Sequence, residues 1–223
     1  MTRVKVCGIT NPFDARLAVH AGADALGLLF AESPRRVTVA AAREILEVVA
    51  PFITPGGVFM DAPLEMVRDI CRELRLHTVQ LHGMESPDEI RELRREFRVI
   101  KTLELTREDE VQNLTRIAAD AYLLDARGPA GAGGTGRTCD WTLAAQAAAQ
   151  HLVVLAGGLS PDNVREAVRT VRPFGVDASS RLEESPGKKD PALLRRFVEE
   201  VRKADLENLQ PPDLPADASK EPR

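Results

Sequence analysis

The chain has 223 residues, 43% of them hydrophobic and 29% charged, with a formal net charge of -4. That length and apolar content suit one folded core and exclude disorder over the whole length, since single-domain barrels of strands and helices commonly run near ~250 residues. The charges are spread with no basic block, which argues against a nucleic-acid surface, and no apolar run reaches the roughly 18–20 residues that span a bilayer.

In chain order, short β-rich runs alternate with longer helical patterns. The first strand is expected at 3–7, with no leader segment before it, and the first helix at 12–21. Strands follow at 25–30, 54–60, 77–82, 98–104, 120–125, 152–156 and 174–178. Helices fit at 39–50, 63–75, 86–96, 108–118, 140–149, 161–171 and 190–203. Helix punctuation supports these cuts. Thr10-Asn11-Pro12, Ser86-Pro87-Asp88-Glu89, Ser160-Pro161-Asp162-Asn163 and Asp190-Pro191 each place a capping residue before proline, and Gly22 stands where the first helix stops. Eight strand–helix units with no strand left over predict a closed (β/α)8 TIM barrel over 1–203, with an open doubly wound sheet as the competing topology. The segment 204–223 holds four prolines and many charges, and is expected to be a disordered tail.

Strand side chains alternate in direction. At 3–7, Lys5 and Cys7 share one face while Val4 and Val6 share the other. The valines suit a helix-facing surface, so Lys5 and Cys7 are expected inside the barrel, with Cys7 at the carboxyl end. The same parity places His82 with Gln80; on two further strands Asp125 ends the run Ala121-Tyr122-Leu123-Leu124 and Asp177 follows Phe174-Gly175-Val176. That rim is where barrel enzymes carry out their chemistry. The other cysteines, Cys71 and Cys139, read as structural. With no CxxC and four scattered histidines, neither a disulfide framework nor a metal site is expected, and a reducing cytoplasm fits.

Two glycine- and serine-bearing segments follow the last two strands. One is Ala156-Gly157-Gly158-Leu159-Ser160, the other Asp177-Ala178-Ser179-Ser180-Arg181-Leu182-Glu183. Barrels frequently hold phosphate there, because backbone N–H groups at a helix start donate to anionic oxygens. Gly157, Gly158, Ser179, Ser180 and Arg181 are therefore candidate phosphate contacts. Gly134, in the Gly133-Gly134-Thr135-Gly136 loop, is a further one.

With these residues in place, the chain resembles the phosphoribosylanthranilate isomerases of tryptophan biosynthesis. The segments that carry the likeness are Lys5-Val6-Cys7-Gly8-Ile9-Thr10, Ser33-Pro34-Arg35-Arg36-Val37, Val79-Gln80-Leu81-His82-Gly83, Leu123-Leu124-Asp125, Gly133-Gly134-Thr135-Gly136, Leu155-Ala156-Gly157-Gly158-Leu159, Gly175-Val176-Asp177 and Ser185-Pro186-Gly187-Lys188-Lys189-Asp190. The resemblance runs from about residue 3 to 203. It implies an Amadori rearrangement with Asp125 as general acid and Cys7 as general base. It also implies Arg35 or its neighbour Arg36 at the anthranilate carboxylate, and His82 and Asp177 near the substrate. Arg181 departs from the pattern, standing where many members carry glycine.

Once the sugar ring opens, an iminium acidifies the neighbouring C–H. The reaction then needs one acid and one base but no cofactor, each typically contributing ~10²–10⁴-fold. A thiolate base needs a lowered pKa; Lys5, one pleat below Cys7, is a candidate source, beside its reading as a structural lysine in the barrel floor. The partner is a phosphorylated small molecule, with neither nucleic acid nor membrane, and the chain is expected as a monomer or homodimer. Two rival readings stand beside this one. The histidine-pathway isomerases perform the same rearrangement, but with aspartate on strand 1 and a duplicated half-barrel that is not visible here. A non-catalytic phosphate-binding barrel would need neither Cys7 nor Asp125.

Overall fold

The computed structural model describes residues 1–125 and 141–209. Eight strands alternate with eight helices in them: β1 Arg3–Cys7, α1 Pro12–Ala21, β2 Ala25–Leu29, α2 Val39–Glu47, β3 Thr54–Phe59, α3 Leu64–Leu74, β4 Thr78–Leu81, α4 Pro87–Leu93, β5 Arg98–Leu103, α5 Glu108–Ile117, β6 Ala121–Leu124, α6 Trp141–Ala148, β7 Val153–Leu155, α7 Val164–Val171, β8 Gly175–Ala178 and α8 Pro191–Leu209. Each strand pairs in parallel with the next, and β8 pairs with β1 through Arg3–Gly175, Val4–Val176, Lys5–Asp177 and Val6–Ala178. The ring is closed, so the TIM-barrel expectation holds and the open sheet is set aside.

Local chemistry explains the helix starts. Asn11 accepts from the Asp14 N–H at 2.8 Å, and Thr38 accepts from the Ala41 N–H at 3.1 Å. Ser86 and Glu89 form a reciprocal capping box ahead of α4. Ahead of α7 the Ser-Pro signal misleads by three residues. The Ser160 N–H donates to the Asn163 side chain at 2.8 Å, which makes a turn over 160–163 and delays the helix to Val164.

Outward strand residues such as Val4, Val6, Leu26, Leu28, Val79, Leu81, Val99, Val153, Leu155 and Val176 are buried with the inner faces of the helices in one continuous core. Each such side chain contributes ~1.5–3 kcal/mol on burial. The barrel interior is divided. Leu123, Val154 and Ala156 form a small apolar cluster with Ile100 on the β5–β7 side. Lys5, Cys7, Gln80 and Asp177 are buried on β1, β4 and β8, with Thr102 of β5 beside Gln80. That polar half is open to chemistry.

Two departures lie near the chain end. A two-stranded antiparallel ribbon, β9 Glu183–Ser185 and β10 Lys188–Lys189, follows a 3₁₀ turn at Ser180–Leu182. The sequence reading had no element there. In addition, α8 does not stop at 203: it runs to Leu209, with Ala204 and Asp205 buried. The expected tail is therefore corrected over 204–209, where Asp205 packs against the chain start. Residues 210–223 lie outside the described residues.

Candidate active site

Strand parity places the thiol as expected. Lys5 and Cys7 point into the barrel, both almost fully buried. Gly27 is the register partner of Cys7 on β2, and a Cβ at that position would stand 2.7 Å from the Cys7 sulfur and 3.2 Å from Lys5 Nζ. Any larger residue at 27 would displace both groups. Lys5 Nζ donates to Asp177 Oδ1 at 2.9 Å, across the same register that closes the ring.

Cys7, Lys5 and Asp177 form one electrostatic unit. Burial pushes the Cys7 thiol above its ordinary value, against the Lys5 ammonium and Lys189, which pull it down; Asp177 adds to the upward push. The thiol thus lies above its ordinary value and not below it, because desolvation outweighs Lys5. Burial would lower Lys5, but the Asp177 carboxylate and Cys7 outweigh it and hold Lys5 as an ammonium. Burial also raises Asp177, against Lys5. Cys71 is buried on α3 and pushed up to about 12 by desolvation, in keeping with a structural role.

A cavity of about 740 Å³ opens at the carboxyl end of the barrel, and Cys7, Arg35, Gln80, His82, Asp125 and Asp177 line it. Asp125 stands just past β6, its N–H bonded to Leu103 O at 3.0 Å. Gln80 donates to Thr102 at 3.2 Å, while its own side-chain oxygen is buried with no partner among the described residues. A larger surface cleft of about 1060 Å³ lies between α7 and α8, away from this rim. Its arginines and carboxylates, such as Arg165 and Glu200, pair with one another in a solvated groove.

The two neighbouring arginines separate. Arg35 reaches the cavity, whereas Arg36 pairs on the exposed surface with Glu32 at 3.3 Å. Arg35 is itself engaged: Nε lies 2.8 and 3.0 Å from the two Glu183 oxygens, and Nη2 lies 2.6 Å from Oε2. Glu183 also receives Lys189 Nζ at 2.7 Å, and Lys189 donates to the Cys7 carbonyl at 2.7 Å. Gly8 has φ +75°, and a Cβ there would lie 2.5 Å from Arg35 Cδ. Only glycine both adopts that backbone and lets the arginine stem pass.

Among the candidate phosphate contacts, Ser179 lines the cavity. Gly157 and Gly158 follow β7 with φ +83° and +71°. Ser180 and Arg181 form the 3₁₀ turn after β8, both exposed. Arg181 makes no hydrogen bond or ion pair among the described residues. Gly134 and Cys139 lie outside the described residues.

Sequence reasoning missed Glu183, Lys189 and a second buried pair, Lys101–Glu85 at 2.9 Å, which fixes the loop after β4. Pro186-Gly187 between two polar runs was a legible turn signal for the ribbon that carries Glu183 and Lys189. Lys101 faces outward on a central strand and had no such marker. Among the described residues no group of three His, Cys, Asp or Glu side chains could hold a metal ion, and no helix is long and apolar enough to cross a membrane.

Comparison with known proteins agrees with this geometry. The family model for N-(5'-phosphoribosyl)anthranilate (PRA) isomerase matches residues 4–200. The N-(5'-phosphoribosyl)anthranilate isomerase of Pelobacter propionicus is 48% identical over 199 residues, covering 89% of this chain and 94% of the relative. The crystal structure of phosphoribosyl anthranilate isomerase from Thermotoga maritima superposes with a TM-score of 0.85 at 38% identity, covering 91% of this chain and 100% of its own. A phosphoribosyl anthranilate isomerase in complex with reduced 1-(o-carboxyphenylamino)-1-deoxyribulose 5-phosphate superposes at TM-score 0.81 and 36% identity, with 91% and 100% coverage. By sequence and by fold, this chain belongs to the N-(5'-phosphoribosyl)anthranilate isomerase family.

Proposed function

We propose that the chain converts N-(5-phosphoribosyl)anthranilate into 1-(2-carboxyphenylamino)-1-deoxyribulose 5-phosphate in tryptophan biosynthesis, with Asp125 as general acid and Cys7 as general base. The observation that carries the residue assignment is that a thiol at the end of β1 and a carboxyl just past β6 line one cavity at the carboxyl rim. Asp125 delivers a proton to the furanose ring oxygen, and the ring opens to an iminium. The Cys7 thiolate then removes the proton from C2, and the resulting enolamine relaxes to the ketone. Lys5 supports the thiolate from one pleat below, and Asp177 holds Lys5 in place.

Arg35 receives the anthranilate carboxylate; Arg36, turned to solvent, is the weaker choice. Gly157, Gly158, Ser179 and Ser180 receive the phosphate between the ends of β7 and β8, with Arg181 as a peripheral cation. His82 and Gln80 face the sugar from β4. The reaction suits a cytoplasmic enzyme, and the acid–base steps call for no metal or organic cofactor.

The test is turnover of the anthranilate substrate by wild type, Cys7→Ala and Asp125→Ala. Each variant is expected to lose ~10²–10⁴-fold in kcat with the fold kept. Near-wild-type turnover by either variant sinks its assignment. Wild-type inactivity defeats the reading itself and leaves a phosphate-binding barrel.

A further inference from the structure

Arg35 is a long side chain at a loop, and its direction needs a cause. A guanidinium carries two forked edges, one formed by Nε and Nη2 and the other by Nη1 and Nη2. Glu183 occupies the first edge with three contacts between 2.6 and 3.0 Å. The Arg35 Nη1 group has no partner among the described residues, and the residue lines the cavity. The second edge is therefore left for a carboxylate.

Glu183 is itself buried, its side chain 3% exposed, and a buried anion needs compensation. Lys189 supplies it at 2.7 Å with a side chain that is 0% exposed. The remaining lysine protons reach Cys7 O at 2.7 Å and Ser179 O at 3.3 Å. The chain of contacts thus runs from the end of β1 through Lys189 and Glu183 to Arg35. Gly8, next to Cys7, leaves room for the Arg35 stem, since a Cβ there would lie 2.5 Å from Arg35 Cδ. Two cations facing one anion leave a net positive balance at this corner of the cavity.

We infer that Glu183, braced by Lys189, is a positioning residue that presents the open edge of Arg35 to the substrate carboxylate at a fixed distance from Cys7. The inference rests on the proposed reaction. Glu183 touches no reacting atom; it acts through Arg35. Its loss removes binding that ground state and transition state share, which raises KM and spares kcat.

The experiment compares wild type, Glu183→Gln and Glu183→Asp on two substrates: N-(5-phosphoribosyl)anthranilate and the N-(5-phosphoribosyl)aniline that lacks the carboxylate. For the first, Glu183→Gln is expected to raise KM on the order of 10–100-fold, the range of a charge-assisted hydrogen bond, with kcat within about threefold. For the aniline substrate, KM is expected to stay within about twofold of wild type, because no carboxylate meets Arg35. Glu183→Asp keeps the charge that Lys189 requires and serves if the glutamine variant does not fold; it is expected to raise KM for the anthranilate substrate alone. In an Arg35→Met background, adding Glu183→Gln is expected to leave KM unchanged. Equal damage to both substrates, or an unchanged KM for the anthranilate substrate, overturns the inference while wild-type turnover keeps the reaction assignment intact. Wild-type inactivity on the anthranilate substrate defeats the reaction assignment, and this inference with it.

Discussion

At the scale of single residues, the acid–base problem is one of competing terms around Cys7. Burial protonates the thiol and Lys5 opposes it, while Asp177 satisfies Lys5 and so weakens its pull on the sulfur. Because burial wins, the thiol ionises above its ordinary range. The kcat/KM profile reports free-enzyme groups, so the alkaline limb that Cys7 governs is expected above the ordinary thiol value of ~8.5. Lys5→Met removes a cation that favours the thiolate, and the alkaline limb is expected to move to higher pH. Asp177→Asn removes an anion that opposes the thiolate, and the limb is expected to move the other way. Profiles from about pH 6 to 10, with thiolate absorbance as a second readout, check both directions. A limb indifferent to Lys5→Met removes the lysine from the mechanism. These residues were legible in the sequence because β1 and β4 alternate regularly enough to fix which side chains point inward, and because Asp125 and Asp177 follow the apolar runs of β6 and β8. Glu183 and Lys189 were not, because they lie on two- and three-residue strands too short to show any period. Nor does a sequence say that desolvation of Cys7 exceeds the pull of Lys5; that balance depends on how tightly Gly27 lets the neighbouring strand approach.

At the scale of elements, the start of β2 and the start of β6 use the same device. Asp24, just before β2, accepts the Val4 N–H of β1 at 2.8 Å, and its own N–H donates to Val4 O at 2.7 Å. Asp120, just before β6, accepts the Val99 N–H of β5 at 2.8 Å and donates to Val99 O at 2.8 Å. Each stands in an Ala-Asp-Ala step, Ala23-Asp24-Ala25 and Ala119-Asp120-Ala121. So the chain does carry a faint half-barrel correspondence, too short to stand out in a scan for repeats. Burial would raise both carboxyls. The Val4 N–H with Arg3 and Arg202 outweighs it at Asp24, and Arg94 with the Val99 N–H outweighs it at Asp120, so both sit below the usual carboxylate value. A lowered carboxyl stabilises the fold above its unfolded pKa of ~3.9 and loses that contribution as pH falls through the folded value. Asp24→Ala or Asp120→Ala leaves a strand N–H unpaired and is expected to cost ~1–3 kcal/mol at neutral pH. The deficit relative to wild type should shrink in strong acid. Urea unfolding at neutral and acid pH measures this, and a deficit that does not change with pH removes the carboxylates from the account.

For the whole molecule, eight alternations of pattern were readable, because each unit shows its own apolar faces and caps. Closure was an inference from their count. It rests on the pairing of β1 with β8, a contact between the two ends of the chain that no local window contains. A further bond between the ends escaped the sequence reading because the charged residues past 203 do not resemble a packing surface. There, α8 continues to Leu209 and turns Asp205 onto the chain start. Asp205 accepts the Thr2 N–H at 2.9 Å and its hydroxyl at 2.7 Å, while Arg202 donates to Thr2 O at 2.6 Å. The last helix thus pins the first strand beside the strand that closes the ring. Asp205 is buried, so removing it strands the Thr2 donors in a site that water reaches poorly. Asp205→Ala is expected to lower stability by ~1–3 kcal/mol, read as a lower urea midpoint with an unchanged slope. These groups lie at the amino-terminal end of β1, opposite the rim that carries Cys7 and Asp125. Turnover per folded molecule should therefore stay at the wild-type level at temperatures well below unfolding. A variant that kept its urea midpoint would show that β1 is held by its strand neighbours alone and that the extended end of α8 adds nothing to ring closure.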